Sequence, residues 1–226
     1  MEYKTGCLII HGFGGNTHEV EPLANHLQSK GFLTFCPNLK GHTGDRKALS
    51  RVSYKDWIES CEDGLKYLLS SCEKVVLIGF SMGGLVAVNL SLKYKVSALA
   101  TLSTPIYYWD IKRIFLNIVQ DFKTKTFKNL RRYRSSTGSL PFLALVNFKI
   151  LLEKTKPLIK KTTYPLFVAQ GMLDDTVNQR SAKYIYKNSA AKFKTIRYYN
   201  NSEHLICHGP DCIRLFVDLE DFINSI

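Results

Sequence analysis

The sequence predicts an α/β fold in which a mostly parallel sheet is flanked by helices. Three observations carry that prediction. Short apolar or β-branched runs alternate with helix-periodic segments, each apolar run ends in a loop of small or polar residues, and no repeat or low-complexity tract interrupts the alternation. About six parallel strands are expected, and a sheet of this kind places ligands beyond the carboxyl ends of its strands.

The first strand is Cys7-Leu8-Ile9-Ile10-His11, which runs into Gly12-Phe13-Gly14-Gly15, where glycines let backbone amides approach a ligand. Glu21-Pro22 opens a helix to about residue 30, with Pro in the first turn and Gly31 at the end. Residues 33–36 read as a strand and 38–50 as a loop. Within that loop His42 is expected as a solvated histidine, the mouth of a site being the other reading. A capping arrangement at residues 53–56 opens one amphipathic helix through about residue 69, with Trp57, Cys61, Leu65 and Leu68 on a core-facing stripe. Residues 74–78 form a strand apolar enough to be buried on both faces, followed by a helix over 85–94. Strands at 96–102, 164–170 and 194–199 and helices at 179–187 and 211–224 complete the core.

Residues 106–162 change character. Ile111, Ile114, Phe115, Ile118, Val119 and Phe122 recur at helical spacing, residues 135–141 break the pattern, and 142–154 form a second helix. This reads as a helical lid inserted between two core segments, 1–105 and 163–226. Of the net charge of +12, the lid carries 13 Lys and Arg against Asp110, Asp121 and Glu153, or +10. Such concentration argues against a nucleic-acid function spread over the chain, and no base-stacking or groove-reading element accompanies it, so that function ranks last. The basic segment is either a solvated face or a weak contact for an anionic lipid surface.

Cys7, Cys36, Cys61, Cys72, Cys207 and Cys212 lie apart without metal-ligand spacing, so reduced thiols and no metal or organic cofactor are expected. The N-terminus runs directly into a strand and no apolar run reaches about 18 residues. A cytoplasmic protein is the expectation.

The chemistry gathers at Gly79-Phe80-Ser81-Met82-Gly83-Gly84, where a buried strand turns abruptly into a helix. Such a corner exposes a serine hydroxyl, and only small residues fit two positions either side of it. The helix N-terminus aims the Met82 N–H at an oxyanion forming on a substrate attacked by Ser81. A second donor is the Phe13 N–H, with Gly12 and Phe13 bordering the substrate and His11 holding their loop by hydrogen bonding. Serine needs a base, and the base an orienting acid. In chain order these follow two later strands: Asp174, with Asp175 adjacent, and His204, with His208 four residues on. His18 and His26 come too early.

At these residues the chain resembles the α/β-hydrolase superfamily, and within it the small cytosolic carboxylesterases related to bacterial monoacylglycerol lipases. His11 to Gly15 is similar to the family's H-G-F-x-G oxyanion loop, Lys40-Gly41-His42 to its K-G-H segment, and Gly79 to Gly84 to its nucleophile elbow. Gly171 to Val177 is similar to its G-x-x-D-x-x-V acid motif, which singles out Asp174 over Asp175. Ser202-Glu203-His204 stands where members often carry Ser-Gly-His. The resemblance implies a Ser81-Asp174-His204 triad acting on small-molecule esters with an apolar acyl chain, monoacylglycerols among them. A thioesterase or acyltransferase on the same triad, and a non-catalytic ligand receptor on a hydrolase fold, are the competing functions.

Overall fold

The computed structural model describes residues 3–107 and 141–226. The apolar runs become six strands: β1 (Tyr3–Ile10), β2 (Leu33–Phe35), β3 (Cys72–Phe80), β4 (Ala98–Leu102), β5 (Leu166–Gly171) and β6 (Lys194–Tyr199). All pair in parallel, in the order β2-β1-β3-β4-β5-β6. The helices are α1 (Glu21–Ser29), α2 (Arg46–Ser50), α3 (Tyr54–Glu59), α4 (Glu62–Ser71), α5 (Met82–Lys93), α6 (Phe142–Thr155), α7 (Arg180–Asn188) and α8 (Cys212–Asn224).

Alternation along the strands sends side chains to two cores. Cys7, Ile9, Val76, Ile78 and Phe80 meet Leu23 and Leu27 of α1 and Leu215, Phe216 and Leu219 of α8. Leu8, Ile10 and Leu77 meet Trp57, Leu65, Leu85, Leu151 and Ile185 from the helices on the opposite face. Glu220 pins the first pair of helices, accepting from His26 Nε2 at 2.9 Å with Lys30 at 3.4 Å. The α5 helix is apolar on every side and accordingly lies inside. Full burial of Leu85 and Leu90 contributes about 2 kcal/mol each by transfer alone.

The strand order creates the site. From β1 the chain crosses to β2 on one side and returns as β3 on the other, so the loops leaving β1 and β3 diverge and open a crevice at their carboxyl ends.

Several local expectations are corrected. The single helix over 53–69 is two helices. Ser60 Oγ donates to the Asp56 carbonyl at 2.6 Å and the Cys61 amide reaches back only to Ile58, so the helical ladder breaks there. The loop over 38–50 contains α2, whose start Asp45 caps by accepting from the Lys47 amide. Short 3-10 turns occur at Thr17–Glu19 and Lys156–Lys161. The expected helix around Ile111 to Phe122, and all but the last residue of the break at 135–141, lie outside the described residues. Downstream, α6 packs on the core through Ala144, Leu151 and Leu152, and Asn89 Nδ2 donates to Thr155 Oγ1 at 2.7 Å.

Candidate active site

Ser81 occupies the corner between β3 and α5 with φ 51° and ψ −122°, a strained region for a residue with a Cβ. The surroundings over-determine that geometry. The Ser81 amide donates to the Leu102 carbonyl at 2.8 Å, which ties the corner to the end of β4. A Cβ on Gly83 would lie 2.2 Å from the Ile10 carbonyl oxygen, and one on Gly79 would lie 2.3 Å from that of Gly83. Backbone occupies the space on both sides, so the glycines are sterically required.

His204 is delivered by the loop after β6. Its Nε2 lies 3.0 Å from Ser81 Oγ and its Nδ1 lies 2.8 Å from Asp174 Oδ2. A carboxylate can only accept, so Nδ1–H donates to Asp174, and Nε2 keeps the lone pair that faces the serine hydroxyl. Burial pushes the imidazole pKa down, but the Asp174 charge and hydrogen bond, helped by Glu19 and Asp175, outweigh it and the net shift is upward. The ring of Phe80 supports it at a centroid distance of 5.1 Å.

Asp174 is fully engaged. Oδ1 accepts from the amides of Thr176 and Val177 at 2.9 and 2.8 Å, and Oδ2 accepts from Gln170 Nε2 at 3.0 Å as well as from His204. Asp175 is also buried, but the carboxylate that meets His204 is that of Asp174. His208 is exposed and donates from Nε2 to the His18 carbonyl at 2.8 Å.

The glycine loop after β1 closes the other side. Gly12 sits so near the corner that a Cβ there would lie 3.2 Å from Ser81 Cβ. His11, almost fully buried, donates from Nδ1 to the Gly12 carbonyl at 2.9 Å and accepts from the Leu39 amide at Nε2. Burial lowers its pKa to about 4, so the ring is neutral and acts as a brace. Among the described residues, neither the Phe13 nor the Met82 amide is taken up by a hydrogen bond. The Phe13 ring stacks on Phe148 of α6 at 5.1 Å and tilts against Trp57 at 5.6 Å. His42 is not a solvated loop histidine. It is half-buried, edge-on to His11, Phe13 and Trp57, because the β1 loop leaves an aromatic face there for it to cover.

The structure therefore brings Ser81, His204, Asp174, Gly12, Phe13 and Met82 into one crevice. Sequence reasoning missed Gln170 and Glu19. Gln170 carried a signal, being a polar residue at the end of an apolar strand. Glu19 carried none, since its position is set by tertiary contacts. No group of three or more His, Cys, Asp or Glu among the described residues could hold a metal ion, and no described helix is long and apolar enough to cross a membrane.

Comparison with known proteins agrees with this architecture. The chain is 23% identical to a carboxylesterase of Bacillus subtilis, covering 97% of this chain and 92% of that one. It is 27% identical to a thermostable monoacylglycerol lipase of a Bacillus species, over 88% and 82% of the two chains. A solved structure from work on the metagenome-derived lipolytic enzymes LipS and LipT superposes with a TM-score of 0.83 at 16% identity, covering 100% of this chain and 96% of the other. The family model described as the alpha/beta hydrolase fold matches residues 8–207, and the chain belongs to that family.

Proposed function

We propose that this protein is a serine carboxylesterase that hydrolyses small carboxylic esters with apolar acyl chains, monoacylglycerols among them, through an acyl-enzyme. The observation that carries the reading is the line Ser81–His204–Asp174, with hydrogen-bond distances of 3.0 and 2.8 Å, set beside the Phe13 and Met82 amides. The names of the two Bacillus relatives support the substrate class.

In this reading Ser81 Oγ attacks the acyl carbon while its proton passes to His204 Nε2, and the carbonyl oxygen becomes an oxyanion held by the Phe13 and Met82 N–H groups. Collapse breaks the bond to the alcohol, which leaves with the proton from His204. Water then attacks the acyl-serine, with His204 again taking a proton, and the acid departs as Ser81 is restored. Asp174 keeps the imidazole in the required tautomer and stabilises its cationic form. The stacked rings of Phe13 and Phe148 supply an apolar wall for the acyl chain.

Labelling with a fluorophosphonate, beside hydrolysis of p-nitrophenyl esters from about two to about sixteen carbons, tests the reading. Ser81→Ala should remove labelling and lower turnover roughly 10⁶-fold while the fold persists. Most of the esterase activity surviving in that variant would refute it. Contact of the basic 106–162 segment with anionic lipid is a further part of the proposal. Sedimentation with anionic vesicles should exceed that with neutral ones, and equal weak binding to both would remove it.

A further inference from the structure

Among the described residues, the carboxylate hydrogen-bonded to the Gly12–Gly15 loop belongs to neither Asp174 nor Asp175. Glu19 closes the 3-10 turn Thr17–Glu19, and its Oε2 accepts from the Gly12 amide at 2.8 Å. The carboxylate fills the concave side of the loop so closely that a Cβ on Gly15 would lie 2.2 to 2.3 Å from its atoms, and one on Gly12 would lie 3.0 Å from Oε2. Loop and carboxylate are thus complementary from Gly12 to Gly15, with Phe13 between.

The turn that carries Glu19 is held from two directions. Asn16 caps it, its side chain accepting from the His18 amide at 2.9 Å. His208 donates to the His18 carbonyl at 2.8 Å, and His208 belongs to the same loop as His204. The turn therefore bridges the loop after β1 and the loop after β6. Its carboxylate interacts electrostatically with His204, His208 and the buried thiol of Cys207, and His204 is faced in addition by Asp174 and Asp175.

From this geometry we infer that Glu19 is a positioning residue shared by the two halves of the site: it holds the Gly12–Gly15 loop so that the Phe13 N–H faces Ser81, and it adds its negative charge to those of Asp174 and Asp175 in favouring the His204 imidazolium. The inference rests on the ester-hydrolysis reading given above. Burial raises the Glu19 pKa, and the Gly12 hydrogen bond and the two histidines oppose that rise.

Two variants separate the two roles. Glu19→Ala removes both the acceptor and the charge, whereas Glu19→Gln keeps an acceptor for the Gly12 amide and removes only the charge. Steady-state kinetics on p-nitrophenyl butyrate, pH profiles of kcat/KM and thermal unfolding would be measured for both beside wild type. Glu19→Ala is expected to lose roughly 10- to 100-fold in kcat with KM changed little, since a displaced oxyanion donor is felt in the transition state. Glu19→Gln should recover most of that loss at pH 8 and should show its acid limb at lower pH than wild type, because imidazolium has lost a favourable neighbour. Should Glu19→Ala fail to fold, the shift of the limb in Glu19→Gln decides alone. An active wild type beside variants with unchanged kcat and unchanged limb would overturn the positioning role while leaving the esterase reading standing. A folded wild type that neither turns over esters nor reacts with a fluorophosphonate would overturn both.

Discussion

The Ser81 hydroxyl and His204 Nε2 are 3.0 Å apart although 123 positions separate them in the chain. The contact depends on two strand ends, those of β3 and β6, and on Asp174 from a third, β5, holding the far side of the imidazole. Asp174→Asn should preserve the packing, since the amide oxygen can still accept from the Thr176 and Val177 amides. The side-chain NH₂ would meet Nδ1 as a donor and favour the wrong tautomer. Turnover is expected to fall roughly 10³- to 10⁴-fold with little change in KM. Activity within tenfold of wild type would remove Asp174 from its assigned place.

The His204 pKa has a direct kinetic consequence. Burial lowers it, Asp174 with Glu19 and Asp175 raises it more, and in the proposed mechanism His204 takes the serine proton only when neutral. Activity should therefore be lost as pH falls through a value above the ordinary 6.5 of histidine, so the acid limb of kcat/KM should lie above that point. The same shift stabilises the folded protein below pH 6.5, and this contribution fades as pH rises through the folded value. An acid limb below 6.5 in wild type would contradict the assignment.

His11 gives the opposite sign. Its folded pKa is lowered to about 4, so the unfolded chain binds the proton more readily. Stability is intact above pH 6.5 and declines between 6.5 and about 4, by about 3 kcal/mol for this group. The ¹³Cε1 chemical shift of His11 should show no titration near 6.5, and a midpoint there would refute the brace described for the Gly12 loop.

Gly83→Ala tests the packing of the corner. The new methyl would sit 2.2 Å from the Ile10 carbonyl oxygen, and backbone cannot rotate out of the way. A destabilisation of about 3 kcal/mol is expected, lowering the melting temperature by about 6–12 °C in a chain of this length. Calorimetry would show it, and an unchanged melting temperature would mean that α5 is free to shift away from β1.

The fold was legible because its signals are local and repeated. The run Val75 to Ile78 is apolar on both faces and breaks at Gly79, and β6 falls on the stretch 194–199 read as the last strand. Positions after strand ends then point to Ser81, to the Asp174–Asp175 pair and to His204, and the resemblance of Gly171 to Val177 to the family's acid motif selects Asp174. What escaped was set by contacts without periodicity. Ser60 breaks a helix by competing for one carbonyl, His42 is half-buried because Phe13 and Trp57 offer it a face, and Glu19 reaches Gly12 across seven positions through a turn of three residues. Gln170, a polar side chain at the end of an apolar strand, was the one such residue that the pattern itself could have exposed.

The stack of Phe13 on Phe148 also marks where this protein can be recombined with its relatives. Phe148 belongs to α6, and α6 is fastened by Asn147 Oδ1 accepting from the Tyr54 amide and by Thr155 accepting from Asn89. A chimaera that takes upstream residues from another member of the family therefore keeps these contacts only if it rejoins the native chain before Asn147. A junction placed after Phe148 would replace the ring resting on Phe13, and the exchanged part would bring a different surface against that loop.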